Sequence, residues 1–152
     1  MSINYDIGDL INNMIELEKC GAEFYSSQAE KHSNPIIKQL FAKLAEQENG
    51  HRIIYEHLLE KADPEVGEID DEYQDYLREI IDRKFDLDIL HADACANPQC
   101  VLDMAIKLER DSIKFVNAFG ILTGTAYQDM VEQIKQQEQG HLAMLLEIKD
   151  KI

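Results

Sequence analysis

Glu48-Asn49-Gly50-His51 and Glu138-Gln139-Gly140-His141 decide how this sequence is read. Each tetrapeptide interrupts an apolar seam at the same place. Alternating steps of four and three residues through the first give Ile37, Phe41, Leu44, Glu48, His51, Tyr55, Leu58 and Ala62. The second gives Tyr127, Val131, Ile134, Glu138, His141, Leu145, Ile148 and Ile152. Apolar residues at this period mark the face of a helix that packs on other helices. A Glu and a His three residues apart therefore stand inside a packing face, where an unpaired charge is costly.

Two more seams follow the same rule. One runs through Ile7, Ile11, Met14, Glu18, Gly21 and Tyr25, the other through Leu102, Ala105, Glu109, Ser112, Val116 and Phe119. Each is broken by a single Glu, and the next seam position is small, Gly21 or Ser112. The breaks repeat along the chain: Glu18 to Glu109 is 91 residues, and Glu48 to Glu138 and His51 to His141 are each 90. Neighbouring text repeats too, with Ile15-Glu-Leu-Glu-Lys against Ile106-Lys-Leu-Glu-Arg. Two helical hairpins related by a two-fold would bring all six polar seam residues to one level.

The four seams define four long helices. The first is expected from about Asp6 to Lys31. The second opens at Asn34-Pro35, an N-cap followed by proline in the first turn, and ends near Ala62. Asn97-Pro98 opens another in the same way, ending near Phe119, and the last follows Thr123-Gly124-Thr125 to the end. The stretch from Asp63 to Asn97 is too long for a tight loop. Its middle, Glu72 to Leu90, places Tyr73, Tyr76, Leu77, Ile80, Ile81 and Phe85 on one side, so a crossover carrying its own helix is expected. The whole chain, 1–152, reads as one domain of two pseudo-repeated hairpins, about 6–62 and 97–152.

Composition narrows the function. With 15 Lys and Arg against 30 Asp and Glu, the net charge of −15 leaves no cationic excess for nucleic acid or for an anionic membrane surface. The 45% apolar fraction argues against disorder, and 7 Gly with 3 Pro are too few turn residues for a many-stranded fold. No run of 18 apolar residues is present, so no membrane span is expected. Met1 to Asp6 has neither the basic nor the apolar part of a secretory signal, and three cysteines (Cys20, Cys95 and Cys100) is an odd number. The expectation is a cytoplasmic, reduced protein.

Four carboxylates and two imidazoles at one level of a core need compensating charge. Two divalent metal ions supply it: their +4 balances the −4 of Glu18, Glu48, Glu109 and Glu138, with His51 and His141 neutral. Mixed oxygen and imidazole donors suit iron or manganese, and also zinc. A single Glu-x-x-His pair would mean little, because 16 Glu and 5 His in this chain give roughly half a pair by chance. Asp88-x-x-His91 shows how readily such patterns arise. Two pairs that repeat at 90 residues, both inside apolar seams, are a different matter.

This pattern resembles the rubrerythrin-like branch of the ferritin-like di-iron carboxylate proteins, over nearly the whole chain. The resemblance implies an all-α, ferritin-like four-helix bundle with one long helical crossover between the second and third long helices. It implies two iron ions, with manganese or zinc as substitutes, held by Glu18, Glu48, His51, Glu109, Glu138 and His141. Glu48 and Glu138 would bridge, and Glu18 and Glu109 would be terminal. The family's Glu followed seven residues later by Tyr stands here as Glu18 and Tyr25.

Three features depart from rubrerythrins proper. The chain lacks the two Cys-x-x-Cys pairs of a rubredoxin-like site, so an electron donor has to be a separate molecule, such as a rubredoxin-like protein. The extra Glu three residues after the third-helix ligand, which favours peroxide there, is Ser112 here. The second-half counterpart of Tyr25 is Val116.

The expected activity is a di-iron oxidoreductase that oxidises Fe(II) while reducing peroxide or O2. The alternatives are a non-catalytic protein that buffers iron and a structural zinc bundle. Tyr25 is the candidate catalytic side chain, as a hydrogen-bond donor to a ligand or as a redox-active phenol. Tyr55 reads as an ordinary core aromatic. Cys95 and Cys100 could pair by oxidation, Cys20 reads as a helical filler, and His32, His57 and His91 as surface or capping residues. A homodimer is the expected assembly.

Overall fold

The computed structural model describes residues 4–61, 69–83 and 98–151. Five helices follow one another: α1 (Ile7–Lys31), α2 (Pro35–Lys61), α3 (Asp71–Arg83), α4 (Pro98–Thr123) and α5 (Gln128–Lys151). No strand occurs among the described residues. The chain is an all-α bundle in which α1 packs on α2, α4 on α5, and α1 on α4, with the crossover helix α3 laid against α1 and α4. The expected α3 is described from Asp71 to Arg83; its continuation to Leu90, with Phe85, lies outside the described residues.

Local chemistry sets the helix ends. Asp6 and Asp9 form a reciprocal capping box at the start of α1, with bonds of 2.8 and 2.9 Å. The Asn34 side chain accepts from the Ile36 amide at 2.9 Å, with Pro35 in the first turn of α2. The corresponding Asn97 cap lies outside the described residues. The third long helix runs one turn past the expected Phe119, to Thr123. There the chain reverses at Gly124, whose φ of 62° is a conformation that favours glycine. At Gly120 a side chain would meet the Val131 methyl at 3.0 Å, so glycine lets α4 and α5 converge before the turn.

Every described position of the four seams is buried, except Ile37, Tyr127 and Ile148, which are half-buried. The helices differ in how much else they bury. α1 and α4 are central, and flanking residues such as Leu10, Leu17, Phe24, Ile106 and Phe115 join their seams in the core. α2 and α5 bury little beyond the seam itself. In α3, Leu77, Ile80 and Ile81 enter the core, whereas Tyr73 and Tyr76 are exposed at its margin. Sequence patterning missed Gln74, which is buried because its amide pairs with both backbone groups of Tyr5: it accepts from the amide at 2.8 Å and donates to the carbonyl at 2.7 Å.

That clip fastens the crossover helix to the entry of α1. Replacing Gln74 with Ala removes two hydrogen bonds and leaves buried backbone groups to find water, so a loss of about 1–3 kcal/mol is expected in urea unfolding. Amide exchange should rise in α3 more than in α4. An unchanged midpoint would show that Tyr5 and Gln74 merely lie side by side.

Candidate metal centre

Because the seams wind at one period, their interruptions meet at one level. α1 contributes Glu18, α2 contributes Glu48 and His51, α4 contributes Glu109, and α5 contributes Glu138 and His141. All six are at least 96% buried. They form two overlapping groups, each offering donor atoms within 4.8 Å of one another. One consists of Glu18, Glu48, His51 and Glu138; the other of Glu48, Glu109, Glu138 and His141. Glu48 and Glu138 belong to both, and Glu18 and Glu109 to one each.

The hairpins interlock here. His51 Nδ1 lies 2.6 Å from Glu138 Oε1 on the opposite hairpin and 3.7 Å from Glu18 Oε1. His141 Nδ1 lies 3.8 Å from Glu48 Oε1 and 3.6 Å from Glu109 Oε1. The two imidazoles stack with centroids 6.4 Å apart. Each ring turns its other nitrogen to a glutamine: His51 Nε2 meets Gln137 Oε1 at 2.7 Å, and His141 Nε2 bonds Gln47 Oε1. Sequence reading passed over these glutamines. The signal was available, since each stands one residue before its motif Glu and the pair repeats at 90 residues.

The donor set fits a pair of cations. Buried polar atoms normally have partners. Here Glu18 Oε2, Glu48 Oε1, His51 Nδ1, Glu109 Oε2, both Glu138 oxygens and His141 Nδ1 make no well-aligned hydrogen bond within the protein, the 2.6 Å approach of His51 Nδ1 to Glu138 Oε1 included. Without cations the carboxylates compete for protons. Burial first, and then Glu18 and the other carboxylates, push Glu48 well above the usual range. Burial, Glu18 and Glu109 do the same to Glu138. Burial opposes charge on His51, but Glu138 and Glu18 outweigh it and hold the imidazolium up to about 11. Burial also disfavours the charged form of Glu109, yet the neighbouring Glu138, His141 and Tyr25 overcome this and lower it.

Tyr25 lies one turn from Gly21 along the α1 seam and is fully buried against Phe24 and Phe41. Its hydroxyl donates to Glu109 Oε1 at 2.8 Å, crossing from one hairpin to the other. Burial, then the nearby Glu109 and Glu48, raise the phenol, so it stays protonated and remains a donor. Val116, at the related position, is buried but has no hydroxyl to offer Glu18. Tyr55 is also core, its phenol raised by burial and then by Glu18. Gly21 faces Glu48: a side chain there would make ordinary contact with Glu48 Oε2, at 3.4 Å. Ser112 is buried on the opposite seam.

The remaining candidates lie apart from the cluster. Cys20 is half-buried, His57 is exposed, and His32 closes α1 with its ring against Phe41. Cys95 and His91 lie outside the described residues, and so does any oxidative Cys95–Cys100 pair. No described helix is long and apolar enough to cross a membrane.

A rubrerythrin family model matches residues 9–149. This chain belongs to the rubrerythrin family. A crystal structure of a Thermotoga maritima protein, described as a ferritin-like diiron-carboxylate protein, is similar to it: 27% identical, with a TM-score of 0.75 over 99% of this chain and 98% of that one. No curated protein matches the sequence. Rubrerythrin membership, the shared fold and the buried Glu/His cluster together support a dinuclear metal site of the di-iron type.

A pH dependence follows from the clustered groups. Glu48 and Glu138 keep protons in the folded state that the unfolded chain releases above its ordinary 4.5, so their effect on metal-free stability worsens as pH rises. His51 contributes stability that is full below 6.5 and is lost as pH climbs toward 11. Glu109 acts oppositely, but its loss falls below 4.5. Metal-free protein should therefore melt at a lower temperature at pH 9 than at pH 6. Divalent metal displaces these protons, so the stabilisation it gives should grow over the same range. Parallel thermal melts with and without Fe(II) or Zn(II) check both slopes. A metal-free melting temperature that rises with pH would contradict the proton-sharing cluster.

Proposed function

We propose that this protein is a di-iron oxidoreductase that oxidises Fe(II) at the Glu/His cluster while reducing peroxide or O2. The observation that carries the proposal is the sharing of Glu48 and Glu138 between two otherwise separate donor groups. On this reading Glu48 and Glu138 would be shared by two irons, one held also by Glu18 and His51 and the other by Glu109 and His141. Two iron ions held side by side would each supply one electron to a two-electron oxidant.

The chain's own residues set the conditions. The seams above and below the cluster exclude water, which strengthens every charge interaction inside. Tyr25 holds Glu109 in one orientation and keeps a proton next to it. Ser112 stands where rubrerythrins proper have an extra Glu, and it cannot ligate as a carboxylate would. That supports a site with a smaller bias toward peroxide over O2. The sequence has no Cys-x-x-Cys pairs, so reductant would come from a separate donor, a rubredoxin-like protein being one chemical fit.

Metal analysis and rapid mixing test this reading. Wild-type protein should bind two irons per chain. Glu48→Ala or Glu138→Ala should lose both, whereas Glu18→Ala should weaken one. Two tightly held ions in Glu48→Ala would refute the bridging assignment. In stopped-flow absorbance, reduced protein should be oxidised by both peroxide and O2, and Ser112→Glu should shift the preference toward peroxide. Inertness to both oxidants, with two irons bound, would favour iron buffering without turnover.

Tyr25→Phe separates orientation from folding. It removes one hydroxyl from a buried contact and leaves Glu109 Oε1 without its donor. A loss of about 1–3 kcal/mol is expected in the metal-free protein. Rates of oxidation should fall while the stoichiometry stays at two. If rates are unchanged, the phenol serves packing alone.

A further inference from the structure

Gln47 and Gln137 stand outside the two donor groups, yet each reaches across the bundle to the other hairpin. Gln137 on α5 meets His51 on α2, and Gln47 on α2 meets His141 on α5. α2 and α5 are the outer helices, and each buries little besides its seam. Their link at this level is therefore polar: the two imidazole–carboxylate approaches, the stacked rings and the two glutamines. Gln47 is half-buried and Gln137 exposed, so both lie between the imidazole edges and solvent.

The geometry fixes which ring nitrogen does what. Nδ1 of each histidine faces only carboxylate oxygens of the cluster. A cation bound there would take the Nδ1 lone pair, leaving Nε2–H as the ring's one proton. An N–H must donate, so the facing glutamine atom must be its carbonyl oxygen, as found. Turned the other way, the glutamine amide would donate to a bare Nε2 and force the proton onto Nδ1, where it would block a cation. A glutamine, unlike a carboxylate, accepts this bond without adding a further negative charge to a cluster that already holds four Glu.

We propose that Gln47 and Gln137 are positioning residues that hold His141 and His51 as Nε2–H tautomers with Nδ1 directed into the cluster, so that each hairpin sets the metal-binding nitrogen of the other. The inference rests on the dinuclear reading of the cluster. It concerns the rings' orientation and their Nε2–H bonds, which can also be observed without metal.

The test uses the whole chain with histidine ring nitrogens labelled with 15N, both metal-free and titrated with Zn(II) alone. Gln137→Met keeps the side chain's length but removes its strong acceptor, and Gln137→Glu keeps an acceptor. In wild-type protein, ring 15N shifts should show Nδ1 bound to Zn(II) and Nε2 protonated for both histidines. In Gln137→Met, the His51 Nε2–H should exchange with water at least tenfold faster, with or without metal, and Zn(II) affinity should fall about tenfold. Gln137→Glu should restore slow exchange. Gln47→Met should do the same to His141 and leave His51 unaffected.

Coordination through Nε2, or a Gln137→Met protein with wild-type exchange and affinity, would overturn the proposal. A uniform drop in melting temperature with unchanged ring exchange would overturn it too, by making the glutamines structural only. Wild-type stoichiometry is a separate readout. Fewer than two Zn(II) per chain would count against the dinuclear centre, while Nε2–H exchange in metal-free protein would still decide the hydrogen bonds.

Discussion

Four carboxylates buried at one level of a helical core are the constraint on which this molecule turns. A single uncompensated buried charge costs several kcal/mol, and Glu48 and Glu138 each offer donor atoms within 4.8 Å of those of both Glu18 and Glu109. Neutralisation has two routes. Protons can do it, as the upward displacement of Glu48 and Glu138 and the charged His51 show. Cations can do it without spending the lone pairs on hydrogen, and the unpartnered donor atoms are disposed for that. The apolar remainder of each seam holds the carboxylates together against their repulsion, and so the packing and the site depend on each other.

The two halves repeat each other closely but not fully, and the differences are concentrated beside the cluster. Tyr25 donates to Glu109, whereas Val116 offers Glu18 nothing. Gly21 faces Glu48 without a side chain, whereas Ser112 places a hydroxyl on the facing seam. A duplicated scaffold thus supplies a nearly symmetric set of donors, and single-residue divergence makes the two positions unequal. Glu109 lies lowered by Glu138 and His141 and then by the Tyr25 hydroxyl, while Glu48 and Glu138 are raised.

The division of labour among helices follows from burial. α1 and α4 bury the most apolar side chains, and they pack on each other as well as on their hairpin partners. α2 and α5 each supply a Glu, a His and a Gln, and at the level of the cluster they meet through these polar side chains. Both shared carboxylates and both imidazoles therefore sit on helices whose burial is nearly confined to the seam.

Much of this was legible in the sequence, because a heptad period converts residue numbers into a common face. The four seams, the Asn34-Pro35 start of α2 and the break near Gly124 needed only local rules, and the 90-residue repeat put six polar residues at one height. Tertiary structure decided what depends on partners from other helices. No periodicity shows that Tyr25 bonds Glu109 rather than a residue of its own hairpin, or that Gln74 is buried by pairing with the Tyr5 backbone. Gln47 and Gln137 repeat as faithfully as the motif residues, but they lie off the seam and looked like solvent-facing polar positions. Their role comes from reaching across to the opposite imidazole. Spacing along a helix determines which residues share a face, whereas the packing of one face on another determines which atoms touch.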